Sequence, residues 1–127
     1  ALLIEHMISG AVAELLVGVI RDPAHGFVLT LAAGGTMTEL LDDHTSLLVP
    51  AARVHVEAAL SRLKISPLLH GYRGKPPVNF EALLDSIDAV QSYVLANSST
   101  VEEVEINPLM CTAQAAIAVD ALIRKTQ

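Results

Sequence analysis

The spacing of hydrophobic and polar residues divides the chain into segments with different periods. In the first half, short aliphatic and β-branched runs are bounded by glycine and proline, as at Ser9-Gly10, Asp22-Pro23 and Gly34-Gly35. Such runs between turn residues are typical of strands joined in hairpins. We therefore predict strands at residues 2–4, 15–20, 27–31 and 45–49.

The middle of the chain has a helical period. Residues 51–64 alternate charged side chains with Val54, Ala58 and Leu63, which predicts an amphipathic helix with these three residues on its apolar face. Ser66-Pro67 ends this helix and can open a short helical turn.

A second helix is predicted after the glycine- and proline-rich loop at residues 71–77. Asn79 can cap it, and Glu81 suits the positive end of its dipole. Its apolar face is formed by residues at spacings of four, three and four: Leu83, Ile87, Val90 and Val94.

The last quarter returns to a period of two. Val104 and Ile106 point to one side of a strand, while Glu103, Glu105 and Asn107 point to the other. A turn at Ala113-Gln114 and a strand over residues 116–123 complete a hairpin. This order of elements predicts an α+β fold, with helices packed on an antiparallel sheet.

Composition restricts the class of protein. The chain has 127 residues, of which 52% are hydrophobic and 17% charged, so we expect residues 1–127 to form one globular domain. A net charge of −6 argues against a nucleic-acid partner. The apolar runs are too short for a membrane span, and the first residues lack the pattern of a signal peptide. With Cys111 as the single cysteine, a cytoplasmic location is expected.

The final hairpin brings oxygen ligands together. A turn centred on Ala113-Gln114 places Asn107 directly opposite Asp120, where Cβ atoms lie about 4.5–5.5 Å apart. An amide oxygen and a carboxylate at that separation can share Mg²⁺, and Glu105 lies two residues away on the same face. The small Ala116 and Ala118 are expected on the side of Asp120, leaving room for a ligand. The other interpretation is that these acidic residues form an ordinary solvated face.

Five segments, in order, resemble the ATP-grasp domain of nucleoside-diphosphate-forming acyl-CoA synthetases, the relatives of succinyl-CoA synthetase β chains. The resemblance covers nearly the whole chain. Its segments are Glu-Leu-Leu-Val-Gly-Val at 14–19 with Asp22-Pro23 and Gly26, Gly34-Gly35 with Glu39 and Asp43, the loop at 69–77, Glu-Val-Glu-Ile-Asn-Pro-Leu at 103–109, and Ala-Val-Asp-Ala at 118–121.

This resemblance implies roles for individual residues. Asn107 and Asp120 match Mg²⁺ ligands, and Glu105 matches an acidic position beside the nucleotide phosphates. Glu5 matches the strand that holds adenine and ribose, and Glu14 is expected to line the nucleotide site. The implied cofactors are Mg²⁺ and ATP or ADP, with CoA as a substrate of the whole enzyme. The family's phosphorylated histidine lies outside the matching stretch, so no catalytic residue is assigned.

The resemblance also implies that this chain is the C-terminal subdomain of an ATP-grasp fold. An upstream subdomain that grips the nucleotide and a CoA-binding domain or subunit would be its partners, and the chain alone is expected to be inactive. Two other functions stay open: a nucleotide-binding regulatory or degenerate domain attached to a protein such as an acyltransferase, and a purely structural module. The acyl substrate, the direction of reaction, the choice between ADP and GDP, homo-oligomer formation and the roles of Arg73 and His25 are also left open.

Overall fold

The computed structural model describes residues 12–35 and 42–126. Within them, the elements in chain order are β1 (Ala13–Asp22), β2 (Gly26–Ala33), β3 (His44–Leu48), α1 (Arg53–Ser61), α2 (Ser66–Leu69), α3 (Phe80–Ala96), β4 (Val101–Cys111), β5 (Ala116–Ala118) and β6 (Ala121–Lys125). The predicted strand at residues 2–4 lies outside the described residues. The other predicted elements are present, which confirms the α+β class.

The strands form one antiparallel sheet in the order β3-β2-β1-β4-β5, and β6 also pairs with β4. Apolar residues on one face of β1 are buried, and they pack against the helices. The core includes Leu15, Val17 and Val19 from β1, Leu29 and Leu31 from β2, Val56 and Leu60 from α1, and Leu83, Ile87 and Val94 from α3. Burying each such side chain contributes about 1.5–3 kcal/mol, so these contacts hold one face of the sheet against the helices.

The other face of β1 carries Leu16, Gly18 and Ile20, which are half-buried or exposed. We call this the open face of the sheet. Gly18 is paired with Glu105 of β4, so the open face runs on to the acidic side of β4.

Helix α3 begins as the sequence predicts. The Asn79 side chain accepts a hydrogen bond from the Ala82 N–H at 3.0 Å, and Glu81 lies in the first turn. Leu83, Ile87 and Val94 are all fully buried. The predicted cap and apolar face of this helix are therefore confirmed.

The predicted helix at residues 51–64 is shorter, and its predicted apolar face is wrong at two of three positions. Val54 and Ala58 are exposed, whereas Leu63, just after the helix, is buried as predicted. The helix residues that face the core are Val56, Ala59 and Leu60. Together with Leu63 they bury more apolar area than a face with Val54 and Ala58 would, so this side lies against the core.

The β4–β5 hairpin has the predicted register. Cys111 pairs with Ala116, and Leu109 pairs with Ala118. The turn contains neither asparagine nor glycine, but the Thr112 hydroxyl accepts hydrogen bonds from the Gln114 and Ala115 N–H groups at 3.1 and 2.8 Å. This side-chain capping replaces the usual turn residues.

Asn79 also links the start of α3 to this hairpin. Its Nδ2 donates to the Gln114 carbonyl at 2.9 Å, and its N–H donates to the Thr112 carbonyl at 2.8 Å. The helix therefore holds the turn from which β5 and β6 lead away.

The strand predicted over residues 116–123 is interrupted at Val119 and Asp120. On the opposite strand, β4 has a bulge: Leu15 of β1 pairs with Leu109, but Val17 pairs with Ile106. Pro108, inside the bulge, has no N–H to continue the ladder. The β4 bulge lies directly opposite the break between β5 and β6. The pairing register of β4 is therefore the same with β5 (Leu109 opposite Ala118) as with β6 (Ile106 opposite Ala121).

Because of this interruption, Ala116 and Ala118 face the opposite side of the sheet from Asp120. Ala116 and Ala118 line an apolar groove beside Val90 and Tyr93 of α3, on the helix side of the sheet. Asp120 lies on the open side, so the prediction that these alanines make room beside it is wrong. The alternation of faces shifts by one residue at the interruption.

Cys111 is buried, and the burial raises the pKa of its thiol to about 12. A thiol in that state is neutral and unreactive. This agrees with its predicted role as a small packed side chain.

Candidate functional site

Asn107 and Asp120 lie opposite each other where the two strands are interrupted. The Asn107 N–H donates to the Asp120 carbonyl at 3.1 Å, and the Val119 N–H donates to the Pro108 carbonyl at 3.1 Å. The predicted facing pair is therefore confirmed. Two backbone hydrogen bonds fix its separation.

Glu105 completes one pocket with this pair. The pocket has a volume of about 220 Å³ and opens to solvent; its walls are Glu105, Asn107, Asp120, Ala121 and Leu122. Glu105 and Asn107 are half-buried, and Asp120 is exposed. The three predicted side chains on this hairpin therefore meet on the open side of the sheet.

The glutamates of β4 differ in whether they form an ion pair. Glu102 pairs with Arg21 at 3.4 Å, and Glu103 pairs with Arg124 at 3.3 Å. Within the part of the chain that the structure describes, neither Glu105 nor Asp120 forms an ion pair with a lysine, arginine or histidine. Of the three glutamates on β4, Glu105 alone lacks a protein cation among the described residues, and it lines the pocket with Asp120.

Glu14 of β1 does not line this pocket but lies close to Gly35, which contacts Asn107. It is half-buried, and its Oε2 would lie only 2.7 Å from a Cβ placed on Gly35. The Gly35 N–H in turn donates to Asn107 Oδ1 at 2.9 Å. Gly35 therefore lies between the Glu14 carboxylate and the Asn107 amide.

The donor set suits Mg²⁺. Mg²⁺ takes hard oxygen ligands and is usually held by one or two carboxylates together with substrate phosphates. No group of three or more histidine, cysteine, aspartate or glutamate side chains within residues 12–35 and 42–126 is placed to hold a metal by itself. The Asn107 oxygen has two lone pairs, of which Gly35 uses one, so it can still be a ligand.

Two other candidate residues, Arg73 and His25, do not line this pocket. Glu5 is outside the described residues. Arg73, at a tight turn with φ of 50°, has its guanidinium 5.2 Å from the centre of the Tyr72 ring. His25 lies 3.4 Å from the Asp22 carboxylate in the β1–β2 turn, and hydrogen bonds from the Ala24 and His25 N–H groups hold the pKa of Asp22 below its usual value.

Sequence reasoning missed the part that Gly34 and Gly35 play in this site. Their position at the end of β2 is visible as a turn signal. Their contacts with Glu14 and Asn107 join segments distant in the chain, so spacing could not indicate them.

Among the described helices, none is long and apolar enough to cross a membrane.

The chain belongs to the ATP-grasp domain family, whose model matches residues 1–124. It is 37% identical over 108 residues to the β subunit of ADP-forming acetate–CoA ligase I of Pyrococcus furiosus, and this match covers 85% of the chain and 46% of the relative. The β subunit of ligase II from the same organism is 30% identical over 112 residues, covering 87% of the chain and 48% of the relative.

A solved structure has the same fold. Acetyl-coenzyme A synthetase 1 of Candidatus Korarchaeum cryptofilum, in complex with coenzyme A and Mg-AMPPCP, superposes with a TM-score of 0.82 at 28% identity. The match covers 90% of this chain and 53% of that one. The chain thus spans about half the length of each of these three proteins.

Proposed function

We propose that this chain supplies the magnesium–nucleotide side of the phosphoryl-transfer site in an ADP-forming acyl-CoA synthetase. The observation that carries the proposal is the pocket where Asn107, Asp120 and Glu105 meet, in which neither carboxylate pairs with a lysine, arginine or histidine of the described residues. The similarity to ADP-forming acetate–CoA ligase β subunits supports the reaction class.

In this proposal, Asn107 and Asp120 hold Mg²⁺ through their side-chain oxygens. The bound cation would neutralise charge on the phosphate oxygens, which is the main requirement of phosphoryl transfer. Glu105, on the adjacent wall, orients the phosphate end of the nucleotide, and Glu14 lines the site from β1. Glu5 is proposed to contact adenine and ribose.

The overall reaction of the whole protein is acid, CoA and ATP to acyl-CoA, ADP and phosphate, or its reverse. The rest of the enzyme must supply the groups that grip the nucleotide from the other side, the CoA site and the phosphorylated histidine. We propose that these come from further domains or a second subunit, because the chain spans about half of its β-subunit relatives.

The nucleotide products test this reaction class. The full-length protein that carries this chain, given ATP, Mg²⁺, CoA and a panel of short and aromatic carboxylic acids, should form acyl-CoA with ADP and phosphate in equal amounts. Separation of nucleotides by chromatography with a phosphate assay measures both. Formation of AMP and pyrophosphate, or Mg²⁺-dependent nucleotide binding with no turnover of any acid, would contradict the proposal.

A further inference from the structure

Gly34 and Gly35, which directly follow β2, lie very close to β1 and the Asn107 side chain. The Gly34 N–H donates to the Glu14 carbonyl at 2.9 Å. A Cβ on Gly34 would lie 2.4 Å from the Leu15 carbonyl carbon and 2.6 Å from its oxygen. These are backbone atoms in the middle of a sheet, which cannot move aside, so only glycine permits this approach.

Gly35 then directs its N–H at the Asn107 side chain, 2.9 Å from Oδ1. Its φ is +69°, in the left-handed region that favours glycine. The position of this N–H therefore depends on two residues without side chains.

The bond matters because an asparagine amide has two ends of similar shape. The oxygen can bind a cation, whereas the NH₂ group can only donate hydrogen bonds. A backbone N–H beside the amide favours the orientation in which the oxygen faces it. Gly35 thus selects the end of Asn107 that can act as a ligand, as hydrogen-bonding partners of ligands do in metal sites.

We propose that Gly34-Gly35 is a positioning element for the metal ligand Asn107. This inference rests on the proposed function, because it assumes that Asn107 holds Mg²⁺. Gly34 fixes the backbone against β1, and Gly35 orients the amide oxygen while leaving its second lone pair for the cation.

The test measures how much Mg²⁺ the full-length protein needs to bind a non-hydrolysable ATP analogue, by calorimetry at a series of Mg²⁺ concentrations. Gly34→Ala must displace the glycine pair, so the half-maximal Mg²⁺ concentration should rise about 10- to 100-fold, the usual cost of losing a partner of a metal ligand. An unchanged requirement in a folded Gly34→Ala protein would overturn the inference.

Gly26→Ala is the matched control for Gly35→Ala. Gly26, like Gly35, has a positive φ, +85°, but a Cβ there would meet nothing within 4 Å. Gly26→Ala therefore carries the same kind of backbone strain as Gly35→Ala, in the β1–β2 turn, and its Mg²⁺ requirement should equal that of the wild type. An equal rise in Gly26→Ala and Gly35→Ala would show that strain alone causes the effect, and would overturn the inference.

A double-mutant cycle keeps the test decisive if Gly34→Ala does not fold. Gly35→Ala is milder, since its Cβ meets only the flexible end of Glu14. In an Asn107→Asp background both side-chain oxygens can bind the cation, so orientation no longer matters. Gly35→Ala displaces Glu14 in both backgrounds, so it should raise the requirement clearly less in Asn107→Asp than in the wild type, where the orientation of Asn107 is also lost. The same large change in both backgrounds would show that Gly35 acts independently of Asn107.

Asp120→Ala separates this inference from the proposed function. If Asp120→Ala raises the Mg²⁺ requirement and the glycine variants do not, only the positioning role fails. If Asp120→Ala also leaves it unchanged, the metal site itself is wrong.

Discussion

Replacing Asp120 with alanine in the full-length protein should lower the rate of acyl-CoA formation about 100-fold or more. Asp120 lies opposite Asn107 and is the exposed carboxylate of the pocket, so its loss removes a charged oxygen ligand at the phosphates. Losing one group that stabilises developing charge costs about 10²–10³ in rate. Initial rates at saturating ATP and CoA, over a range of Mg²⁺ concentrations, measure the effect.

Asp85→Ala is the control for that experiment. Asp85 is also an exposed aspartate, but it pairs with Arg53 on the helix side of the sheet. Exposed ion pairs add little to stability and Asp85 lies far from the pocket in the fold, so Asp85→Ala should retain the wild-type rate and Mg²⁺ dependence. An Asp120→Ala protein with the rate of Asp85→Ala would contradict the metal assignment.

Leu83→Ala should destabilise the chain by about 2–5 kcal/mol. Leu83 is fully buried on the face of α3 that covers the sheet, so its truncation removes apolar contacts and leaves a cavity. Denaturant unfolding followed by circular dichroism gives the free energy of unfolding, with an unchanged slope as the sign of an unchanged unfolded state.

The same helix provides the control. Leu95→Ala makes an identical chemical change in α3, but Leu95 is 45% exposed. Its cost should be well below that of Leu83→Ala. Equal costs for the two variants would mean that α3 does not pack as described.

The sequence predicted correctly those elements in which neighbouring residues all indicate the same structure. Helix α3 combines a capping asparagine with a continuous apolar face, and both are found in the structure. The β4–β5 register also followed from the turn position, although Thr112 rather than the turn residues stabilises it.

The wrong predictions have physical causes that local patterns do not contain. In α1, two sets of apolar residues fit a helical face, and contacts with the rest of the core decide between them. At Val119 and Asp120, the strand is interrupted opposite a bulge in β4, so a strict period of two fails across it. The side on which Ala116 and Ala118 lie depends on that interruption.

The candidate site was predictable where its residues share one hairpin. Glu105 and Asn107 lie on β4, and Asp120 lies opposite them between β5 and β6, so spacing and register bring the three together. Glu14 required the resemblance, because β1 reaches the site only through its pairing with β4. The contact of Gly35 with Asn107 joins residues 72 positions apart and is visible only in the folded chain.

The most direct test of a magnesium–nucleotide site on this chain is the effect of Mg²⁺ on binding of a non-hydrolysable ATP analogue by the full-length protein, compared between the wild type and Asn107→Ala. Mg²⁺ should strengthen binding to the wild type at least about tenfold, and should have little effect on the variant. Equal strengthening in both proteins, or no effect of Mg²⁺ on the wild type, would contradict the proposed site.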